Sequence, residues 1–123
     1  ALSDRIVFTG WRQDVDRLMA GFDVFVSSSL AEAFAMVLLE AMAAGLPIIA
    51  TDIADNRTVV ADGKSGLLVP PADSASLARA MEFLAEEPAV RRAFGDEGRR
   101  RWKEAFTVDA MVGRYAELYD HLG

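Results

Sequence analysis

Residues 24–51 read VFVSSSLAEAFAMVLLEAMAAGLPIIAT, and the order of elements in this stretch decides the fold. Val24 to Ser27 is an apolar run of strand length that does not alternate polar with apolar residues, the pattern of a strand covered on both faces. Phe34 to Ala44 has the helical period, with Phe34, Val37, Leu38 and then Met42 apolar, and Gly45 with Pro47 closes it. Ile48 to Thr51 is a second short run of strand character. Strand, helix and strand in that order make a βαβ unit, whose strands are parallel. Ala33 to Ala50 is apolar enough to suggest a membrane span, but Glu40 and the Gly45-Leu46-Pro47 turn interrupt it. Buried helix, turn and buried strand account for it better.

The same alternation extends outward. Upstream, Ile6 to Thr9 is another strand-length apolar run, followed by Val15, Leu18 and Met19 on one helical face and Gly21 as a stop. Downstream, Asn56 to Asp62 reads as a short helix, Asp62-Gly63-Lys64 as a turn and Leu67 to Val69 as a strand. After Pro70 and Pro71 the pattern is wholly helical. One helix starts at Asp73 or Ser74 and repeats apolar residues at Leu77, Met81 and Leu84; another starts at Pro88. Thr107 is the expected cap of a last helix, whose stripe of Val108, Met111, Val112, Tyr115, Leu118, Tyr119 and Leu122 suits packing on a second surface. The predicted fold is α/β, a Rossmann-like parallel sheet followed by C-terminal helices.

With 123 residues, 52% hydrophobic and 26% charged, the chain has the size and composition of one soluble globular domain. A formal charge of −6 repels nucleic-acid phosphates and anionic membranes, so no nucleic-acid partner is expected. Absence of cysteine removes thiolate metal sites and disulfides and is compatible with a cytoplasmic protein. A single histidine, His121, supplies no zinc ligand set. The opening ALSDRIVF has neither an initiator Met nor a leader, as if the chain were cut from something longer.

The chemistry centres on Glu32 and Glu40. A helix that starts just past the carboxyl end of a parallel strand points free N–H groups and its positive dipole end into the crevice where such folds bind ligands, and anions are favoured there. Glu32 stands in the turn before that helix. Glu40 lies within it beside Leu38, Leu39 and Met42, a setting that predicts a buried carboxylate; because burying it unpaired is costly, it should be satisfied either by a hydroxyl-rich ligand such as a ribose or by internal donors.

The segment SLAEAFAMVLLEAMAAGLPIIATD, with two acids separated by seven residues, resembles the hallmark of glycosyltransferase family 4, retaining enzymes of the GT-B fold. The likeness continues upstream in DRIVFTGW and downstream in NRTVVADGKSGLLVPPAD. It implies that residues 1–123 form part of the C-terminal, donor-binding domain of a GT-B enzyme. That enzyme would move a hexosyl-type sugar from a nucleotide diphosphate sugar to a hydroxyl acceptor, in a glycan, lipid or polysaccharide precursor. Glu32 is implied as the catalytic residue that contacts the sugar hydroxyls, and Glu40 as the ribose contact. The amides of Ala33, Phe34 and Ala35 would face the sugar and those of Met36 and Val37 the diphosphate. No metal and no cofactor is implied, the nucleotide sugar being the substrate.

The family's preceding β-α-β-α segment, with its diphosphate-neutralising arginine and lysine, and its N-terminal acceptor domain are not in these residues. The resemblance therefore implies a truncated piece, inactive alone, with the acceptor domain as its missing partner. Any membrane contact would fall to that missing half, at the cytoplasmic face. The family usually has glycine where Ala35 stands and often at Ala33, so an added methyl narrows the expected sugar pocket. Ala54, Asp55 and Thr58 replace a common proline, glycine and glutamate around Asn56-Arg57, which bears on donor preference. Two other readings remain: a GT-B nucleotide-sugar epimerase, and a noncatalytic nucleotide-binding or interaction module.

Other residues have plainer explanations. Trp11 is read as packing, and Arg91, Arg92, Arg99, Arg100, Arg101 and Lys103, interleaved with acids, as a solvated helical face rather than a phosphate patch. Asn56 is either a helix cap or a donor contact. With a doubly wound strand order of 3-2-1-4-5-6, the four runs correspond to strands three to six. Val24 to Ser27 then presents an open edge, and Ile6 to Thr9 is either displaced or paired directly with it.

Overall fold

A computed structural model of the chain describes residues 5–8, 14–28, 36–106, 112 and 116. Along them run α1 (Val15–Met19), β1 (Phe25–Ser27), α2 (Met36–Ala43), β2 (Ile48–Thr51), α3 (Ala54–Val59), β3 (Gly66–Val69), α4 (Ser74–Glu86) and α5 (Pro88–Arg101), which continues as a π-helical segment, Trp102–Phe106. The three strands form one parallel sheet in the order β1-β2-β3. Phe25 is opposite Ile48 and Ser27 opposite Ala50, while Ile48 is opposite Gly66 and Thr51 opposite Val69.

The strands read as continuous apolar runs because each face carries its own core. Ile48 and Ala50 of β2 meet Leu38 and Met42 of α2, Val59 of α3 and Met19 of α1 on one face, with Trp102 packed against this cluster. Ile49 points the other way and joins Val69, Ala80 and Leu84 of α4 and Phe94 of α5. All four residues of β2 are buried, as a central strand requires.

The expected first strand is corrected. Residues 6–8 carry no strand, and Ile6, Val7 and Phe8 are 53%, 81% and 93% exposed; Thr9 lies outside the described residues. An apolar run becomes a strand only where a neighbour satisfies its backbone. Among the described residues, nothing pairs with β1 on the side away from β2. Among the described residues, the run is displaced from the sheet and β1 is an edge strand.

The helix ends follow from their residues. At the end of α2, Leu46 N–H donates to Ala41 O at 3.1 Å and Gly45 N–H to Met42 O at 3.0 Å. This is a Schellman closure, with Gly45 at φ +74°. The predicted third helix starts and ends earlier than expected, at Ala54 and Val59, with Ile53 as its cap residue. Asp73, one of the two predicted caps, accepts from Ser76 N–H at 2.9 Å and from the Ser76 hydroxyl at 2.7 Å. Pro88 takes the first turn of α5, as predicted. Arg91 reaches back to the last carbonyls of α4, Leu84 O at 2.6 Å and Ala85 O at 2.9 Å. Thr107 and most of the expected last stripe lie outside the described residues; Val112, on that stripe, is 59% exposed.

Two predictions arise here. Ala72 sits at φ +56°, where a β-carbon costs about 1–2 kcal/mol. Ala72→Gly should relieve that strain and raise the midpoint of a thermal melt by a few degrees; a lowered midpoint contradicts the assigned backbone. The bonds from Ser76 hold the Asp73 carboxyl below its ordinary pKa. A carboxylate lowered in the fold contributes stability that is complete above its unfolded value, about 3.9, and is lost as pH falls through the folded value. Asp73→Ala should therefore lower the melting midpoint at neutral pH. The gap from the parent should narrow below pH 4, and a pH-independent gap contradicts the capping account.

Candidate functional site

Three strand ends converge at one edge of the sheet. Ser28 follows β1, Thr51 ends β2, and Val69 leads into Pro70 after β3; α2 and α4 follow β1 and β3 in the chain. A hollow of about 400 Å³ opens there, lined among others by Ser28, Thr51, Val69, Ala72, Ser74 and Leu77. In open α/β sheets this carboxyl-end crevice is where ligands bind.

The turn after β2 is clamped by two successive residues of α3. The fully buried Asn56 donates through Nδ2 to Thr51 O at 2.9 Å and to Thr51 Oγ1 at 3.4 Å. Arg57 pairs through Nε with Asp52 Oδ1 at 2.5 Å and donates to Asp52 O at 3.4 Å. The Asn56 Oδ1 atom is buried with no hydrogen-bond partner, a state that costs about 1–3 kcal/mol. Asn56 is thus neither a helix cap nor an open donor contact but a pin on Thr51. Its sequence signal is its position three and four residues before the buried Val59 and Val60, which places it on their face of the helix.

Of the predicted site residues, Met36, Val37 and Glu40 are described. Glu32, Ala33, Phe34 and Ala35 lie outside the described residues, as do Trp11 and His121. On α2, Leu38, Ala41 and Met42 face the core, Val37 is half-buried, and Met36 and Glu40 are exposed one turn apart on the outer stripe. The expected burial of Glu40 is therefore corrected. The helix turns Leu38 and Met42 inward, which carries Glu40 to solvent despite its apolar neighbours in sequence.

Of the basic residues expected on a solvated face, Arg92, Arg99, Arg100 and Lys103 are exposed, whereas Arg91 and Arg101 are half-buried, Arg91 bonded to the carbonyls of α4 and Arg101 with its Nε buried. Arg100 bonds Glu97 at 2.5 Å and Glu104 at 2.8 Å, which holds the Glu97 carboxyl below its ordinary pKa. Among the described residues, no group of His, Cys, Asp and Glu could hold a metal ion, and no helix is long and apolar enough to cross a membrane.

A family model described as Glycosyl transferases group 1 matches residues 1–87. The chain belongs to that family. Within this group of glycosyltransferases, it is 40% identical over 121 residues to EpsD of Bacillus subtilis, whose name places it among the glycosyltransferases; the match covers 96% of this chain and 32% of EpsD. Among solved structures, sucrose-phosphate synthase of Thermosynechococcus elongatus matches with a TM-score of 0.88 and 34% identity, over 98% of this chain and 31% of that one. Anabaena Alr3699/HepE in complex with UDP matches with a TM-score of 0.90 and 28% identity, over 98% and 33%. The chain spans about a third of the length of each of these relatives. The parallel sheet with its flanking helices is the α/β arrangement of these GT-B glycosyltransferases, as the resemblance implied.

Proposed function

We propose that the protein to which this chain contributes transfers a hexosyl-type sugar from a nucleotide diphosphate sugar to a hydroxyl acceptor, with retention at the anomeric carbon, and that residues 1–123 belong to its donor side. One observation carries this reading: the chain matches Anabaena HepE over 98% of its length, and that protein has been solved with UDP and with UDP-glucose. In the proposed arrangement Glu32 engages the sugar hydroxyls and acts in transfer, the amides of Ala33, Phe34 and Ala35 hold the sugar, and those of Met36 and Val37 receive the diphosphate. Glu40 binds the ribose. Its exposure supports this role, because a carboxylate oxygen pair at the surface is within reach of two ribose hydroxyls without any rearrangement of the core.

As the sugar departs, charge grows on the diphosphate, and fixed N–H dipoles at the start of α2 would stabilise it. No metal or cofactor enters this scheme. The acceptor is held by the rest of the protein, which also makes any membrane contact, and the reaction is placed in the cytoplasm. The test is product analysis of the full-length protein with labelled nucleotide sugars. Label moved to an acceptor hydroxyl with its anomeric configuration kept is the expected result. Interconversion of the sugar on its own nucleotide, or binding without turnover, would replace the proposal.

A further inference from the structure

The contact between α5 and α2 changes along its length, from bare backbone at one end to an aromatic side chain at the other. The two helices run antiparallel. A β-carbon on Gly95 would strike the carbonyl of Gly45, and one on Gly98 would meet the Met42 side chain at 3.9 Å. Four residues beyond Gly98 stands Trp102, half-buried and packed against the first core, the cluster that holds Leu38, Ala41 and Met42 of α2. By the same step it is level with Leu38, in the first turn of α2. Interhelical distance follows the bulk of the side chains at the contact. A glycine contact at one end and an indole at the other therefore open the pair toward the start of α2.

Two local departures surround this residue. The α-helix gives way to a π-helical turn at Trp102–Phe106, and the Trp102 N–H is shared between Arg99 O and Gly98 O. The Nε of Arg101 is buried without a hydrogen-bond partner. Backbone preference alone favours neither, since π turns are rare and occur mostly as single turns within α-helices, frequently at functional sites, and an orphaned buried donor is unfavourable. Packing of the indole behind α2 outweighs both. Opposite that buried face of α2 lie Met36 and Glu40, exposed one turn apart.

We propose that Trp102 is a positioning residue for α2, the nucleotide role of that helix being that of the proposed function on which this rests. Wedged behind the helix, Trp102 sets its tilt about the Gly45–Gly95 contact and so brings Glu40 and the start of α2 to the nucleotide, while touching no substrate itself. The lever is short. Leu38 is seven residues from Gly45, a rise of about 10 Å along a helix, so a change of width at Trp102 passes almost undiminished to residues 36–40. A misplacement of about 1 Å caused far from the chemistry can cost about a hundredfold in rate.

In the full-length protein, affinity for a nucleotide diphosphate is titrated for the parent, Trp102→Ala, Trp102→Phe and Trp102→Leu, with Leu84→Ala as control. Leu84 is wholly buried in the second core, on the other face of the sheet, so its truncation lowers the melting midpoint without reaching α2. Titrations are run well below every midpoint. Trp102→Ala should weaken the nucleotide about tenfold, the equivalent of one well-aligned hydrogen bond. Trp102→Phe keeps an aromatic wedge and should stay within about threefold of the parent. Leu84→Ala should bind as the parent does. If Trp102→Ala does not fold, Trp102→Leu carries the test, with a weakening of about fivefold expected. Folded Trp102→Ala or Trp102→Leu protein with the parent's affinity overturns the inference, and so does a loss shared by Leu84→Ala, which would be an effect of stability alone. A parent that binds nucleotide, weakened by Glu40→Gln but not by Trp102→Ala, sinks this inference and keeps the proposed function; a parent that binds no nucleotide diphosphate overturns both.

Discussion

Gly95→Ala should lower the melting midpoint of the chain by 10 °C or more, although alanine is the better helix former. Gly95 lies mid-way along α5, where exchange for alanine ordinarily gains about 1 kcal/mol. Here a β-carbon would be driven into the carbonyl of Gly45, a backbone group in the closure of α2. Neither side can yield cheaply. Gly45 is held at φ +74° by the Schellman bonds, and α5 is fixed by Phe94 in the second core. Overpacking against fixed groups costs about 1–3 kcal/mol or more, and about 1 kcal/mol shifts the midpoint of a small domain by several degrees. Among the described residues, the β-carbon of Gly21→Ala would meet only Leu18 O, at 3.7 Å, so that variant is the matched control and should melt like the parent. A Gly95→Ala chain as stable as the parent would mean that α5 does not cross α2 this closely.

Glu32→Gln in the full-length protein should lower the rate of sugar transfer by about a hundredfold to a thousandfold, the scale seen when one group aimed at developing charge is removed. The affinity for the bare nucleotide diphosphate should change less than twofold. The separation of roles follows from the proposal that Glu32 meets only the sugar, so that its loss is felt where the glycosidic bond breaks. Steady-state rates with saturating donor, together with nucleotide titration, check this. An unchanged rate would remove Glu32 from the reaction.

The parts of the fold that could be read from sequence were those decided by local periodicity. The three strands of the sheet, the closure of α2 at Gly45, the cap at Asp73 and the proline start of α5 all carry their cause within a few residues. Ile6 to Thr9 has the same local pattern as the true strands, but strand formation depends on a neighbour that local sequence does not reveal. The exposure of Glu40 is hidden for a related reason: flanking Leu38, Leu39 and Met42 suggest burial, while the turn of the helix separates residue 40 from residues 38 and 42 and sends it outward. The pairing of Asn56 with Thr51 joins the end of one element to the interior of the next, and a search for caps alone passes over it. The π-helical turn at Trp102–Phe106 has no signal in the apolar pattern. The seven-residue separation of the two acids drew attention to α2, whereas the hydroxyl-lined hollow is assembled from three strand ends and is invisible until they meet.

The central claim is that α2 carries the nucleotide of a sugar donor, and titration calorimetry of the full-length protein with a nucleotide diphosphate tests it most directly. The account predicts that Glu40→Gln weakens binding by about tenfold to a hundredfold, the effect of exchanging a charged acceptor for a neutral one at a ribose, while Glu32→Gln binds as the parent does. Nucleotide affinity untouched by Glu40→Gln, or sensitive only to position 32, would contradict it.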